Sequence, residues 1–179
     1  MRALGRRSLG RRSLGGRSLG RRALGRSGLA GLLLGLALLA VPAGGAAAQE
    51  VEAAEFECLA LNVYFEAGGE SRLGRLAVAW VTLNRWADAR FPDSLCGVVR
   101  QGGEARWRCQ FHWWCDGKPD VPTNPARWAD AEQAARDALS GRRPDPTGGA
   151  LFFHNGQARP KWRHHKTATA VIGNHTFYR

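Results

Sequence analysis

The stretch Asn62-Val63-Tyr64-Phe65-Glu66-Ala67-Gly68-Gly69-Glu70 holds the residues best suited to proton transfer. A carboxyl group at the end of an apolar and aromatic segment loses solvation. Lost solvation disfavours the charged form and raises the pKa, which is what a general acid near neutral pH requires. Glu66 fits that description. On the residues alone, a solvated helix-end glutamate is the favoured reading, since carboxylates are rarely fully buried. Glu70 lies four residues on and would share a helix face with Glu66. Gly68 and Gly69 argue for a break between them. Glu70 is then expected to serve the start of the next helix, where negative charge is favoured.

Two further groups of residues bear on chemistry. Cys109-Gln110-Phe111-His112-Trp113-Trp114-Cys115-Asp116-Gly117 mixes ring faces with amide and carboxylate groups, a composition suited to sugars. A plain cover for the core is the alternative for at least one of Trp113 and Trp114. His154, His164, His165 and His175 raise the question of a metal. No His-x-x-x-His pair is present to place two ligands on one helix face, and the adjacent His164 and His165 would point to opposite faces of a strand. Neither a metal nor a cofactor is expected. An even cysteine count leaves no thiol for a Cys–His nucleophile.

The elements that must position these groups follow from periodicity. Phe56, Leu59, Ala60 and Val63 give helical spacing over residues 53–66. Ser71 caps a second helix running to about Ala89, with Leu73, Leu76, Ala77, Trp80, Val81 and Leu83 inward, before the Phe91-Pro92 break. Asp93 or Ser94 opens a short third helix through Val99. Residues 101–123 are irregular and read as a pinned loop or small hairpin. Asn124 and Pro125 start a helix to Leu139, with a stripe of Trp128, Ala131, Ala135, Ala138 and Leu139. The end of the chain reads as strand at residues 150–154, 168–172 and 175–178, the last two joined by Gly173-Asn174. The class is α+β, helices first and a small antiparallel sheet last.

The chain has 179 residues and a formal net charge of +11. Residues 1–48 hold nine arginines and no acid, which leaves 17 Lys+Arg against 15 Asp+Glu in residues 49–179. The excess therefore belongs to a leader, and a nucleic-acid partner is not expected. Arg6–Gly10 and Arg11–Gly15 repeat a unit too short to pack as a structural repeat. The 13-residue apolar run Leu29–Val41, then Ala46-Ala47-Ala48, reads as a secretory signal cleaved after Ala48. A span needs about 20 apolar residues, so no stable membrane anchor is expected after cleavage. The expected division is 1–48 leader and 49–179 catalytic domain. All four cysteines lie in the exported part, where disulfides form. Four cysteines allow three pairings. The spacing favours Cys109–Cys115, leaving Cys58–Cys96.

In order along the chain, Cys58 to Ala67, Leu76 to Ala79 with Asn84-Arg85, Phe91-Pro92 through Val99, Cys109-Gln110-Phe111 with Cys115-Asp116-Gly117, Gly149 to His154, Trp162, and Ile172 to Tyr178 resemble the SleB-type cell wall hydrolases. The resemblance spans nearly all of residues 56–179. It implies a lysozyme-like, mostly helical domain with a small sheet. It implies cleavage of peptidoglycan glycan strands between N-acetylmuramic acid and N-acetylglucosamine. The family's catalytic glutamate falls on Glu66, in a motif read as Glu-Ala-Arg-Gly-Glu in which this chain has Gly68 in place of Arg. Gln110, Phe111, Phe153, His154, Asn155 and Trp162 lie in the later motifs and are expected to line the glycan cleft. The expected chemistry is that of a lytic transglycosylase, with one glutamate acting as acid and then base, in a monomer exported to the periplasm or cell envelope. A hydrolytic muramidase using Glu70 or Asp116 as second carboxylate, a non-catalytic wall-binding protein, and a zinc-dependent enzyme acting on the peptide stems are the rivals.

Overall fold

The computed structural model describes residues 44–179 except 104, 106 and 107, with side chains placed from Glu52 on. Residues 1–43, with the arginine repeats and the apolar run 29–41, lie outside the described residues. Helix α1 (Gly44–Ala67) is followed by α2 (Arg72–Ala87), α3 (Leu95–Val99), a 3-10 turn at His112–Cys115 and α4 (Pro125–Leu139). Strand β1 (Phe152–Asn155), a second 3-10 turn at Lys161–His165, β2 (Ala168–Ile172) and β3 (His175–Tyr178) complete the chain. Helix α1 passes through the expected cleavage position after Ala48 without interruption.

Helix α1 is the centre of the domain. Leu59, Ala60 and Val63 pack against Leu76, Ala79 and Leu83 of α2 and Ala131, Ala134, Ala135 and Ala138 of α4. Its other side, Cys58 with Leu61 and Phe65, packs against Val99, Phe111 and Trp113. A helix covered on two sides shows no clean amphipathic stripe. That is why only its first face was legible as a period. Helix α4 meets it with alanines, and short side chains let two helices approach closely.

Helix α2 is likewise two-sided. Ala77 and Val81 turn towards the sheet and meet Ala150 and Phe177. Its buried set extends to Val78, Thr82 and Arg85, whereas Leu73, expected inward, is 51% exposed in the first turn. Leu139 of α4 is also exposed, and Ala134 takes the buried place. Ser71 caps α2 by accepting from Gly74 N, Ser94 caps α3 through Gly97 N, and Asn124 caps α4 through Arg127 N.

The sheet has the order β1-β3-β2 and is antiparallel throughout, so β3 is central. Phe152 faces Tyr178 across one ladder, and Ile172 faces His175 across the other. Gly173 turns the β2–β3 hairpin with φ +57°, a conformation open to glycine. The class is α+β, mostly helical with a small terminal sheet, as the periodicity implies.

Two disulfides pin the irregular parts. Cys58–Cys96 ties α1 to α3 with Cα atoms 5.2 Å apart, and Cys109–Cys115 closes a loop with Cα atoms 6.0 Å apart. The first closes a sequence separation of 38 residues, for which chain entropy assigns about 4 kcal/mol. Beside it, the Glu55 carboxylate accepts from Leu95 N and Cys96 N at the start of α3.

One buried polar chain crosses the core. Trp113 Nε1 donates to Asn62 Oδ1 at 3.1 Å, Asn62 Nδ2 donates to Thr82 Oγ1 at 3.0 Å, and Thr82 Oγ1 donates to Val78 O. Asn62 is fully buried and therefore holds α1, α2 and the disulfide loop in one register. An Asn62→Ala variant leaves the Trp113 donor unsatisfied and opens a cavity. Thermal denaturation should show a loss of about 2–4 kcal/mol, and a loss under about 0.5 kcal/mol would show that the bonds are not formed.

Candidate active site

Glu66 occupies the last turn of α1, one residue before its end at Ala67. Phe65 stacks on Trp113 with ring centroids 4.6 Å apart, and Tyr64 packs edge-on against Trp128. The Tyr64 hydroxyl accepts from Thr123 N and Asn124 N, fixing the helix end against the start of α4. These anchors hold Glu66 in a cleft of about 340 Å³ shared with Glu70, Asn155, Gly156, Gln157, Asn174 and His175. No hydrogen bond from a described residue reaches the Glu66 carboxyl. Desolvation pushes its pKa up to about 7, against which the positive charge of Arg85 works in the opposite direction. The negative end of the α1 dipole adds to the rise.

Arg85 is 2% exposed. It sits on the inner face of α2, four residues after Val81, at a position where periodicity calls for an apolar side chain. Its Nε donates to Leu151 O at 2.7 Å, and its guanidinium lies 5.0–5.7 Å from the centroids of Phe91, Phe111 and Phe152. Burial lowers its pKa to about 10, so it remains a cation at neutral pH. Its Nη1 is buried without a hydrogen-bond partner.

Glu70 does not serve the start of α2 as expected; Ser71 performs that task. The Glu70 carboxylate turns to the hairpin instead. It accepts from Asn174 Nδ2 at 2.9 Å and Asn174 N at 3.3 Å, and lies directly against Gly173. His175 Nδ1 stands 3.9 Å from it. Burial depresses the His175 pKa, the nearby Glu70 charge opposing, so the ring is neutral around pH 7.

Of the six residues expected in the cleft, the structure brings Asn155 beside Glu66. Asn155 Oδ1 accepts from Gln157 N and Ala158 N, shaping the turn that forms the cleft wall. Phe111 is a correction: at 3% exposure it is core beneath Arg85, closed off from a sugar. Phe153 bridges two core clusters against Phe111 and Phe177. His154 binds the Tyr178 hydroxyl at 2.9 Å, and Trp162 packs on Phe152, His154 and Tyr178. These three hold the sheet face together. Gln110 is exposed on the disulfide loop and does not line the Glu66 cleft. Asp116 is taken up by Lys118, whose backbone N–H holds its pKa down. Gly156, Gln157 and Arg85 were not singled out by type or spacing. The available signal for Arg85 is a cation on an apolar helix stripe.

A larger, mostly apolar groove of about 650 Å³ lies between Phe56, Trp86, Leu95 and Leu139. It opens ten residues from Glu66 along α1, about 15 Å on helical rise. Its Glu55 is already committed to the α3 N–H groups. Among the described residues no cluster of three or more His, Cys, Asp or Glu could hold a metal.

The geometry thus provides one desolvated carboxyl in an open polar cleft. The model of the Cell Wall Hydrolase family matches residues 69–178. This chain is a member of the cell wall hydrolase family. It is 35% identical over 124 residues to a spore cortex-lytic enzyme of Bacillus cereus, covering 69% of this chain and 43% of that protein. The corresponding Bacillus subtilis enzyme is 32% identical, with 37% of its length covered. The chain therefore spans under half the length of these curated relatives. Among solved structures it is similar to the catalytic domain of the germination-specific lytic transglycosylase SleB from Bacillus anthracis. That match has 35% identity and a TM-score of 0.57, and covers 70% of this chain and 93% of that domain. The SleB catalytic domain from Bacillus cereus aligns with the same TM-score at 36% identity. Family membership and lysozyme-like fold go together, and the family match begins at Gly69, so Glu66 precedes it.

The raised Glu66 pKa has a consequence for stability. The folded state binds a proton up to about pH 7 that the unfolded chain releases near 4.5. Stability is then fully present below about pH 4.5 and falls as pH rises through 7. The full difference is bounded by about 3 kcal/mol, at roughly 1.4 kcal/mol per pKa unit. Glu66→Gln removes the ionisation. Its melting temperature should exceed that of the parent at pH 8 and match it at pH 4, and equal melting at both values would show an unperturbed carboxyl.

Proposed function

We propose that this protein is an exported peptidoglycan lytic transglycosylase that cleaves glycan strands between N-acetylmuramic acid and N-acetylglucosamine. The observation carrying the proposal is the contrast between the two carboxyls of the cleft. Glu66 is desolvated and half protonated near pH 7, whereas Glu70 is occupied by Asn174. Glycosidases that add water across the bond use two free carboxyl groups. One free group suits an intramolecular reaction.

In that reaction the Glu66 carboxylic acid gives its proton to the glycosidic oxygen. The bond from that oxygen to the muramyl anomeric carbon breaks, releasing the N-acetylglucosamine hydroxyl. Glu66, now a carboxylate, takes the proton of the muramyl 6-hydroxyl as that oxygen closes on the anomeric carbon. The product ends in a 1,6-anhydro ring and Glu66 is restored as an acid. Proton donation of this kind is worth roughly 10²–10⁴-fold in rate. The buried Arg85 cation favours the carboxylate form, so Glu66 is neither locked neutral nor locked ionised.

The titles of the structural neighbours, a germination-specific lytic transglycosylase and its Bacillus cereus counterpart, support the same chemistry. Export is supported by two disulfides and by the basic-then-apolar leader. Among the described residues no helix is long and apolar enough to cross a membrane.

Mass analysis of muropeptides released from purified sacculi tests the proposal. The parent protein should release anhydro-muramyl ends, and Glu66→Gln should release none while keeping its fold. The rate should decline above about pH 7 as Glu66 loses its proton. Reducing ends in place of anhydro ends would support the muramidase reading, and full activity in Glu66→Gln would remove Glu66 from the chemistry.

A further inference from the structure

The last part of the chain is all cation. Residues 146–179 contain Arg159, Lys161, Arg163, Lys166 and Arg179 and no Asp or Glu. Four of those five lie within the eight residues from Arg159 to Lys166, together with His164 and His165. None of these four cations forms an ion pair with a described acidic residue. Elsewhere on the domain the surface arginines and lysines are commonly paired: Arg72 with Asp137, Arg75 with Asp130, Arg90 with Asp88, Lys118 with Asp116 and Arg136 with Glu132. Arg100, Arg108, Arg127 and Arg142 are likewise in no ion pair with a described acidic residue, but they are scattered, whereas the strap gathers four such cations within eight residues.

The segment is also built to present that charge. Trp162 packs on Phe152, His154 and Tyr178 and anchors the strap to the sheet. Lys166 Nζ rests 3.4 Å from the centroid of the Phe152 ring. The 3-10 turn Lys161–His165 around Trp162 has no fully buried residue, and Arg159, Lys161, His164 and His165 are exposed. The strap leaves the cleft directly: Asn155, Gly156 and Gln157 line the same cleft as Glu66, and Arg159 follows two residues later.

We infer that the strap Arg159–Lys166 is a docking ridge for the carboxylates of the peptide stems carried by the glycan strand, adjoining the cleft that takes the sugars. This rests on the glycan-strand reading above and names the part of the polymer that the sugar cleft leaves unread. A group of exposed and half-exposed cations beside a cleft raises the local concentration of an anionic polymer. Exposed charges are screened by salt, with a Debye length of about 8 Å at 0.15 M. Binding through the ridge is therefore salt-sensitive, whereas sugar contacts in the cleft are not.

The test is sedimentation binding of the full chain to purified sacculi, carried out in the Glu66→Gln background so that the polymer stays intact. Arg159→Glu with Lys161→Glu reverses two charges outside the cleft, and Arg159→Gln with Lys161→Gln removes them. Matched melting temperatures establish that each variant is folded. The reversal should weaken binding on the order of tenfold at low salt, and the neutral pair by less, in line with several screened surface pairs. Raising salt from about 0.05 to 0.2 M should erase the difference between parent and variants. Removing the stems with an amidase leaves one lactyl carboxylate on each muramyl unit in place of the carboxylates of the stem, so on such strands the difference between parent and variants should shrink to a small part of its value on intact sacculi.

Equal binding of parent and reversal variant to intact sacculi would overturn the inference. So would a difference of undiminished size on stem-free strands, which would assign the ridge to anions other than the stems, the lactyl carboxylates of the strand or wall phosphodiesters. Preferential loss of binding to anionic lipid vesicles, with sacculi unaffected, would assign it to a membrane surface and equally overturn it. Cleavage by the protein with Glu66 intact is scored separately by anhydro-muramyl ends. Absence of those ends counts against the transglycosylase reading, while the binding difference decides the ridge.

Discussion

The domain is arranged around one buried guanidinium. Removing a cation from water costs several kcal/mol unless its surroundings answer the charge. Arg85 is answered by five groups: the Leu151 carbonyl, the rings of Phe91, Phe111 and Phe152, and the charge of Glu66 when it ionises. Those partners come from the approach to α3, the disulfide loop and the first sheet strand. They meet at one cation between helices and sheet, which keeps one nitrogen, Nη1, without a hydrogen-bond partner. An arginine suits the position better than lysine because its flat, weakly hydrated group stacks on rings.

Two glutamates four residues apart illustrate how environment divides a single residue type into different roles. Glu66 ends a helix walled by aromatics and meets no donor, so its proton is held to about pH 7. Glu70 stands past the Gly68-Gly69 break and meets two donors of Asn174, so it acts as a tie between the α2 entry and the β2–β3 turn. The break between them matters more than the spacing. On an unbroken helix both carboxyls would share a face and compete for the same cleft.

Much of this was legible before any coordinates. Helices α2, α3 and α4 follow from caps and stops that act locally, and Ser71, Ser94 and Asn124 each accept the expected backbone N–H. The hairpin follows from Gly173-Asn174, and Glu66 from a carboxyl set after aromatics. The parts that were not legible depend on distant partners. Phe111 reads as a sugar-facing ring because it lies between cysteines and polar residues, and only the arrival of Arg85 from α2 makes it core. Leu73 and Leu139 fit helical stripes but sit in end turns with nothing opposite. Glu70 looks like a cap because its true partner is 104 residues away.

The contact between Glu70 and Gly173 reaches beyond the fold of one chain. A side chain at residue 173 would need a left-handed backbone, and its first carbon would occupy the space taken by the Glu70 carboxylate. Two separate demands therefore fall on the same hydrogen atom. In a lineage of such domains, drift at either position is conditional on the other. A shorter residue at 70 relaxes the steric demand and leaves the torsional one, while any larger residue at 173 forfeits both. Positions so far apart along the chain are thus tied by one contact, and a side chain at 173 would have to push the Glu70 carboxylate off Asn174.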